Sequence, residues 1–531
     1  MIHKSILLAF FASSFFPTSM QAQYAWQHSE RENSKMSLAD DLGYRVESQA
    51  SFSKGKTPLW LNANKYGLSS LDKSNGYLRA AVERPLAADS MRRWAIGYGV
   101  DLAVPVNYTF KGIVVQQAFV EARWLHGVLT VGSKQQPMEL KNQSLSSGSQ
   151  TLGINARPVP QVRIALPEYW RMPFGGGWLH LKGHIAYGMM TDDSWQHEFT
   201  KKQQSYADHI LYHTKAGYLK IGNDEAKFPL SVELGLEMAT QFGGNVYRPD
   251  GKGNMKQIPT SKSLKSFWHA FVPGGRDITD GVYSNVEGNM LGSWVFRLNY
   301  DTDKWRASFY GDHYFEDHSQ MFLLDYDGYG TGKDWEVKKD NRYFLYDLKD
   351  IMLGAEFEMK QGRWLRHVVV EYLYTKYQSG PIYHDRTENM QDHIGGKDNY
   401  YNHGNYPGWQ HWGQVMGNPL YRSPIYNGGG NICVTDNRFV AWHLGFDGQP
   451  SSRLSYRALA TYQTGLGTYD SPFDRPHHNV SFLVESAYRF NHGWHLTAAY
   501  GMDFGSERML GHNAGAQLTL SHSGIFGKRH K

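Results

Sequence analysis

The sequence predicts an all-β chain, a transmembrane antiparallel β-barrel of about 18 strands with short periplasmic turns and long extracellular loops. Three observations carry this. Segments of about ten residues alternate apolar with polar or small side chains, the signature of a two-faced strand. Short and long connections follow one another between those segments. After the N-terminus, no apolar run approaches the roughly 18 to 20 residues that a helix needs to cross a bilayer. The 531 residues would otherwise suggest three or four soluble domains at about 150 residues each.

The chain opens MIHKSILLAFFASSFFPTSMQAQ, with His3 and Lys4 ahead of an apolar stretch from Ile6 to Phe16. This is the shape of a secretory signal, expected over 1–22 with cleavage after Ala22, although Met20 is larger than the residue usually found inside such a site. Residues 23–43 then read as a short periplasmic segment and 44–531 as the barrel. Export places the chain where disulfides form, but Cys433 is the only cysteine and has no partner within the chain. It reads as a small buried residue, with a reactive thiol as the alternative.

The clearest strand is Arg93–Val104. Trp94, Ile96, Tyr98, Val100, Leu102 and Val104 share one face, and Ala95, Gly97, Gly99, Asp101 and Ala103 share the other. The pattern recurs over Tyr44–Ser53, Val114–Trp124, Leu230–Gln241, Gly292–Asp301, Ile351–Lys360, Phe439–Asp447 and Trp494–Phe504. Aromatics sit toward the strand ends, where Tyr and Trp rings favour the headgroup level. Short turns are expected at 84–92, 125–127, 167–177, 222–229, 301–304, 360–363, 447–453 and 490–493. Long loops are expected at 54–76, 105–113, 136–160, 190–207, 242–291, 316–348, 378–437, 465–479 and 505–511. A soluble sandwich or propeller explains alternation within strands but not this rhythm between them. The chain ends IFGKRHK, with Phe526 the aromatic nearest the terminus.

Composition fits the same picture. With 55 Lys and Arg against 50 Asp and Glu, the net charge of +5 is too slight and dispersed to point to nucleic acid. A mean hydropathy of −0.55 is compatible with a barrel, because only every second strand residue faces lipid. The 34 Tyr, 26 Phe and 16 Trp divide into interfacial rings on strands and rings within loops.

The longest loop, 378–437, and the 242–291 and 316–348 loops are where function is expected. The run NYYNHGNYPGWQHW sets Tyr400, Tyr401, Tyr406, Trp409 and Trp412 beside Asn402, His403, Asn405, Gln410 and His411. Rings stack on the C–H faces of sugars while amides and imidazoles bond their hydroxyls, so the mixture suits carbohydrate. The same rings equally suit a loop packed on itself. The 242–291 loop contains a helix-like patch, SLKSFWHAFV. His384, Asp385, Glu388, Asp392, His393 and Asp398 match no zinc or calcium spacing, so no metal is expected.

Glu316 and Asp317, in HYFEDHS, read either as a solvated acidic strand end or as half of a glycosidase pair. Glu233 and Glu237 share one strand face about 13 Å apart, beyond the roughly 5 to 9.5 Å that such a pair needs. There is no GxSxG elbow, P-loop or HExxH helix, so neither enzyme activity nor a cofactor is expected. The lumenal faces mix signs: Gln117, Glu121 and Arg123 on one strand, His180, Lys182 and His184 on another. Opposite charges can close a barrel interior, whereas a selective pore favours a one-signed constriction.

Several stretches resemble the Wzi-type capsule-assembly family, including its Bacteroides-like relatives. They are LWLNANKYGLSS from Leu59, LSSGSQTLGINARPVPQV from Leu145, SFWHAF from Ser266 with GGRD from Gly274, YGDHYFEDHS from Tyr310, EYLYTKYQSGP from Glu371, and DNYYNHGNYPGW from Asp398 through MGNPL from Met416. The resemblance implies an outer-membrane lectin that attaches or organises capsular polysaccharide at the cell surface without hydrolysing it. Its partners are then that polysaccharide, outer-membrane lipid and the polysaccharide export machinery. A porin or saccharide channel is the main alternative, and a surface glycan hydrolase a more distant one.

Enteric members of the family carry a helical bundle before the barrel, for which the segment ahead of Tyr44 offers only about twenty residues. On the matched positions, Tyr400, Tyr401, His403, Tyr406, Trp409, Trp412, Glu316 and Asp317 are the candidate sugar contacts. Gly417–Leu420 accompany them, and Arg157 and Asp277 are expected to hold loops through paired charges.

Overall fold

The computed structural model describes residues 38–89, 93–108, 112–223, 228–273, 288–316, 350–383 and 394–526, with short pieces between 325 and 342. The segment expected to be a signal, Asp277, Asp317 and the acidic and histidine residues 384–393 lie outside the described residues.

Eighteen strands pair antiparallel in one sheet. In chain order they are β1 Gly43–Lys54, β2 Ser74–Arg84, β3 Trp94–Val106, β4 Val114–Trp124, β5 Gly127–Ser133, β6 Gln161–Arg171, β7 Leu179–Met189, β8 Leu211–Ile221 and β9 Leu230–Phe242. There follow β10 Asn289–Asp301, β11 Trp305–Glu316, β12 Ile351–Met359, β13 His367–Tyr374, β14 Phe439–Gly448, β15 Leu454–Gly467, β16 Pro472–Arg489, β17 Trp494–Gly505 and β18 His512–Ile525. β18 returns to β1, in register from Gly43 opposite Ile525 to Lys54 opposite Ala514. This closure leaves the sheet no edge, the condition for a β-structure to stand in lipid.

Burial is inverted relative to a soluble sheet. Along β3, Ala95, Gly97, Gly99, Asp101 and Ala103 are buried, whereas Val100, Leu102 and Val104 are exposed. The apolar face therefore points outward and the small, polar face into the lumen, as a membrane-spanning barrel requires. Exposed rings mark both ends of the outer wall: Trp94, Trp124, Trp364 and Trp494 near the short turns, and Phe52, Trp442, Tyr462 and Phe504 near the long loops. These positions match the interfacial preference of aromatic side chains.

Two expectations are corrected. The stretch 465–479 is not a long loop, because β15 and β16 continue as a hairpin with only 468–471 between them. Pro472 opposes Gly467 at the tip, and the ladder slips between Gly465 and Gly467, an irregularity of the kind that accommodates proline in a strand. Likewise 167–177 is not all turn, since β6 runs to Arg171 with Pro167 in an irregularity between Leu166 and Trp170. The turn itself is 172–178.

The core lies inside the barrel. Leu59, Trp60, Leu61, Leu145, Trp409 and Tyr421, from three inter-strand segments, cluster with Met352, Val369, Leu373, Ala441, Leu459 and Leu483 of the inner wall. Segments 55–73, 134–160 and 398–438 thus enter the lumen from the long-loop end and fill it as a plug. This internal burial supplies the hydrophobic stabilisation that the lipid-facing wall does not.

Candidate functional site

Buried carboxylates on three alternate strands hold the plug. Glu371 of β13 accepts hydrogen bonds from Ser146 Oγ at 2.6 Å, Ser147 N–H at 2.8 Å and Tyr310 Oη at 2.6 Å. Asp312 of β11 accepts from Gln150 N–H at 3.1 Å and pairs with Lys141 Nζ at 2.9 Å. Glu237 of β9 accepts from Ser149 Oγ at 3.2 Å. The run LSSGSQ offers backbone and hydroxyl donors in succession, and each carboxylate takes the donors that pass it. Burial alone would lower the Lys141 pKa, but the Asp312, Glu237 and Glu371 carboxylates together outweigh it and hold the ammonium above its ordinary value.

Mixed lumenal charge plays the closing role expected of it. Lys134 and Glu139, both on the plug, pair with Glu121 and Lys182 of the wall at 2.5 and 2.6 Å. His443 Nε2 meets Leu145 O at 2.8 Å, and Arg457 donates to Ser144 O at 2.8 Å. Segment 55–73 is tied through Leu59 N–H to Asp503 at 3.1 Å and Trp60 Nε1 to Thr461 Oγ1 at 3.1 Å. Below the plug, toward the short turns, the lumen keeps a cavity of about 460 Å³ whose lining includes Arg45, Lys65, Arg366, Arg453, Arg457 and Arg489.

Most of the aromatic candidates lie within the plug. Tyr400, Tyr401, Tyr406 and Trp409 are buried and show no ring face to solvent. Tyr400 and Tyr401 pack edge-on against Tyr314 at 4.6 and 5.7 Å, and Tyr401 meets Tyr421 at 4.1 Å. Burial pushes the hydroxyl pKa of both well up. Tyr406 Oη donates to Gly243 O at 3.0 Å, tying the 242–291 loop to the plug. Of the two readings of this aromatic run, the self-packed loop describes these four rings, because a sugar needs a face that they do not present.

Glu316 is also buried. It accepts Tyr401 N–H and Tyr314 Oη, each at 2.6 Å, so this carboxylate anchors the plug at the end of β11 rather than standing free as an acidic strand end. Arg157 is not placed by a carboxylate among its described contacts. Its guanidinium lies 4.3 Å over the Trp412 ring, and burial brings its pKa down to about 10. Gly417 and Asn418 join the same core: Asn418 Nδ2 donates to Gly148 O at 2.9 Å, and a side chain on Gly417 would meet Tyr401 Oη and the Gln150 carbonyl.

His403 and Trp412 remain partly exposed. Trp412 rises on a left-handed residue, φ 56°, between Arg157 and Thr191. Its neighbour His411 is buried, and burial pushes its pKa down to about 4. A neutral ring fits its bonds, with Nδ1–H donating to Arg157 O at 2.8 Å and Nε2 accepting from Thr191 N–H at 3.1 Å. His403 stacks on Tyr406 at 5.6 Å. Beside it stands a pair that sequence reasoning missed: Tyr247 stacks on Tyr206 at 4.7 Å, and Arg248 Nη2 donates to Asn405 Oδ1 at 2.9 Å. Only the length of the 242–291 loop hinted at them.

No family model and no curated protein sequence matches the chain. Among solved structures it is similar to Wzi of Escherichia coli, described as an outer membrane protein involved in group 1 capsule assembly and a carbohydrate-binding β-barrel. The TM-score is 0.53 at 14% identity over 91% of this chain and 84% of that chain. The fold is that of an outer-membrane β-barrel. Lower similarity extends to OccK3 (OpdO) of Pseudomonas aeruginosa, with TM-score 0.43, 11% identity and coverage of 92% and 97%. OprD of the same organism follows at 0.41 and 9%, over 92% and 95%. What this barrel does has to be argued from its lumen and its loops.

Proposed function

We propose that the chain is a non-catalytic outer-membrane lectin that holds capsular or related surface polysaccharide on its long-loop face and keeps its own lumen closed. The observation that carries this reading is the plug: three inter-strand segments fill the lumen and are bonded to inner-wall carboxylates, 134–160 to Glu371, Asp312 and Glu237, 55–73 to Asp503 and 398–438 to Glu316. A closed lumen suits a binding protein better than a diffusion channel. The Wzi barrel, described as carbohydrate-binding, supports the same reading, as do the residues that resemble its family.

On this face the sugar contacts are Trp412, His403, Tyr247 and Arg248, the partly exposed aromatic and polar side chains around the plug. Trp412 backed by Arg157 offers a stacking ring, and Arg248 offers guanidinium donors to hydroxyl or carboxylate oxygens. Tyr400, Tyr401, Tyr406, Trp409 and Glu316 hold this surface in shape from beneath. The test is binding of purified protein to surface polysaccharide isolated from the producing cell. Trp412→Ala should weaken binding several-fold with the fold intact, and unaltered binding after Trp412→Ala and Arg248→Ala together would remove this site.

One observation favours the alternative of a saccharide channel, namely the open cavity of about 460 Å³ on the short-turn side. That reading needs the plug to move. Electrical conductance separates the two.

A further inference from the structure

The helix Leu264–Phe271 lies outside the barrel, against the wall rather than over the mouth. Ser263 caps its first turn by accepting Ser266 N–H at 3.2 Å. Phe267 packs on two outward-facing rings, Tyr187 of β7 at 5.4 Å and Phe242 of β9 at 5.1 Å, and Tyr187 Oη donates to Phe267 O at 2.8 Å. Phe271 packs on His213 of β8 at 6.0 Å. At the helix C-terminus, Lys215 Nζ donates to Ala270 O at 3.1 Å and to Phe271 O. Lys215 points outward from β8, so its charge would face lipid; the carbonyls that end the helix satisfy it there.

One helix face serves the wall, and the opposite face is apolar and open. Leu264 is 89% exposed, Trp268 59% and Val272 42%. At i, i+4 and i+8 they form one stripe. The stripe continues the lipid-facing belt: Ile185, the register partner of Lys215, and Met189 are exposed on the wall beside it. Lys262 and Lys265 are exposed at the N-terminal end. A stripe this narrow falls well short of the roughly 800 Å² per partner of a stable protein interface. It has the composition of a helix lying in a membrane interface, with Trp at headgroup level and Lys toward phosphates.

We infer that Leu264–Phe271 is a lipid-binding helix that inserts Leu264, Trp268 and Val272 among the acyl chains of the outer leaflet and sets Lys262 and Lys265 against lipid phosphates. It fixes the height of the barrel and pins the middle of the 242–291 loop to the wall. The inference rests on the membrane-barrel reading, and its test separates the two.

The full chain carrying Cys433→Ser is given a single nitroxide through Trp268→Cys, Lys262→Cys or, as reference on the outer wall, Val100→Cys. It is then reconstituted in vesicles of phosphatidylcholine and phosphatidylglycerol. Relaxation by oxygen, which partitions into lipid, is compared with that by a water-soluble nickel chelate. At position 268 oxygen should exceed nickel several-fold, as at position 100, while position 262 shows the reverse. Nickel access at 268 equal to that at 262 would overturn the inference. Protection from both reagents at 268 would also overturn it, by showing a protein partner over the stripe. Nickel access at position 100 would remove the membrane reading, and the inference with it.

Discussion

Replacing Glu371 and Asp312 together by alanine is expected to loosen the 134–160 segment of the plug from the wall and open a path past it. Glu371 holds Ser146 Oγ and Ser147 N–H, and Asp312 holds Gln150 N–H and the Lys141 ammonium. At about 1.5 to 3 kcal/mol for each hydrogen bond to a charged group, four such ties are worth on the order of 6 kcal/mol or more. A change of about 5.5 kcal/mol moves a two-state ratio by about 10⁴. Other ties to the wall remain, among them Ser149 to Glu237, His443 to Leu145, Arg457 to Ser144, Asn142 to Glu356 and Glu139 to Lys182, so the segment is loosened at its centre while its flanks stay held. The assay is single-channel current in a planar bilayer. Wild-type protein should pass little steady current and the double variant should show long openings. Glu371→Gln, which keeps one acceptor oxygen, should fall between. A wild type with steady porin-like conductance would show that the plug does not close the lumen, and a double variant as silent as the wild type would show that these two carboxylates do not hold it.

Two further outcomes follow from the plug and its rim. Tyr401→Ala should destabilise the plug by about 3 to 5 kcal/mol, the usual cost of removing a buried ring, read as faster hydrogen exchange over 398–438; exchange at wild-type rates would place that ring outside the core. Asp436 is buried, and burial lifts its pKa to about 7 against the hydrogen bonds it accepts from the Gly467 and Leu466 amides. Because its folded pKa lies above the unfolded value of about 3.9, the folded state binds the extra proton between the two, and stability falls as pH rises from about 4 to 7 and then levels. Asp436→Asn should remove that fall, a gain of at most about 4 kcal/mol above pH 7, seen as slower exchange of the Leu466 and Gly467 amides once intrinsic rates are corrected. A pH-independent difference between the two proteins would contradict the assignment.

The barrel was legible because its information is local. A period of two over Trp94–Val104 is visible in any window of ten residues, and the rhythm of turns is a count along the chain. What local reading cannot supply is where a loop goes after it leaves its strand. A tyrosine that stacks on sugar and one that fills a lumen, such as Tyr401, share the same neighbours in sequence. The partners that decide between them lie far away, with Ser146 bonded to Glu371 and Tyr401 N–H to Glu316. The SLKSFWHAFV helix was visible as a helix, but not as one standing outside the wall. At 465–479 the expected loop is a continued hairpin, because β15 and β16 keep pairing across an irregular register that a count along the chain does not reveal.

The proposed role is retention of a surface polysaccharide on the outer face of the barrel instead of passage of solutes through its lumen. A clean deletion in the producing cell, with cell-bound and released polymer measured separately, decides it. Total polymer should stay normal, most of it should move from the cell to the medium, and the wild-type chain should restore retention where Trp412→Ala with Arg248→Ala does not. Unchanged cell-bound polymer after deletion would overturn the proposed role.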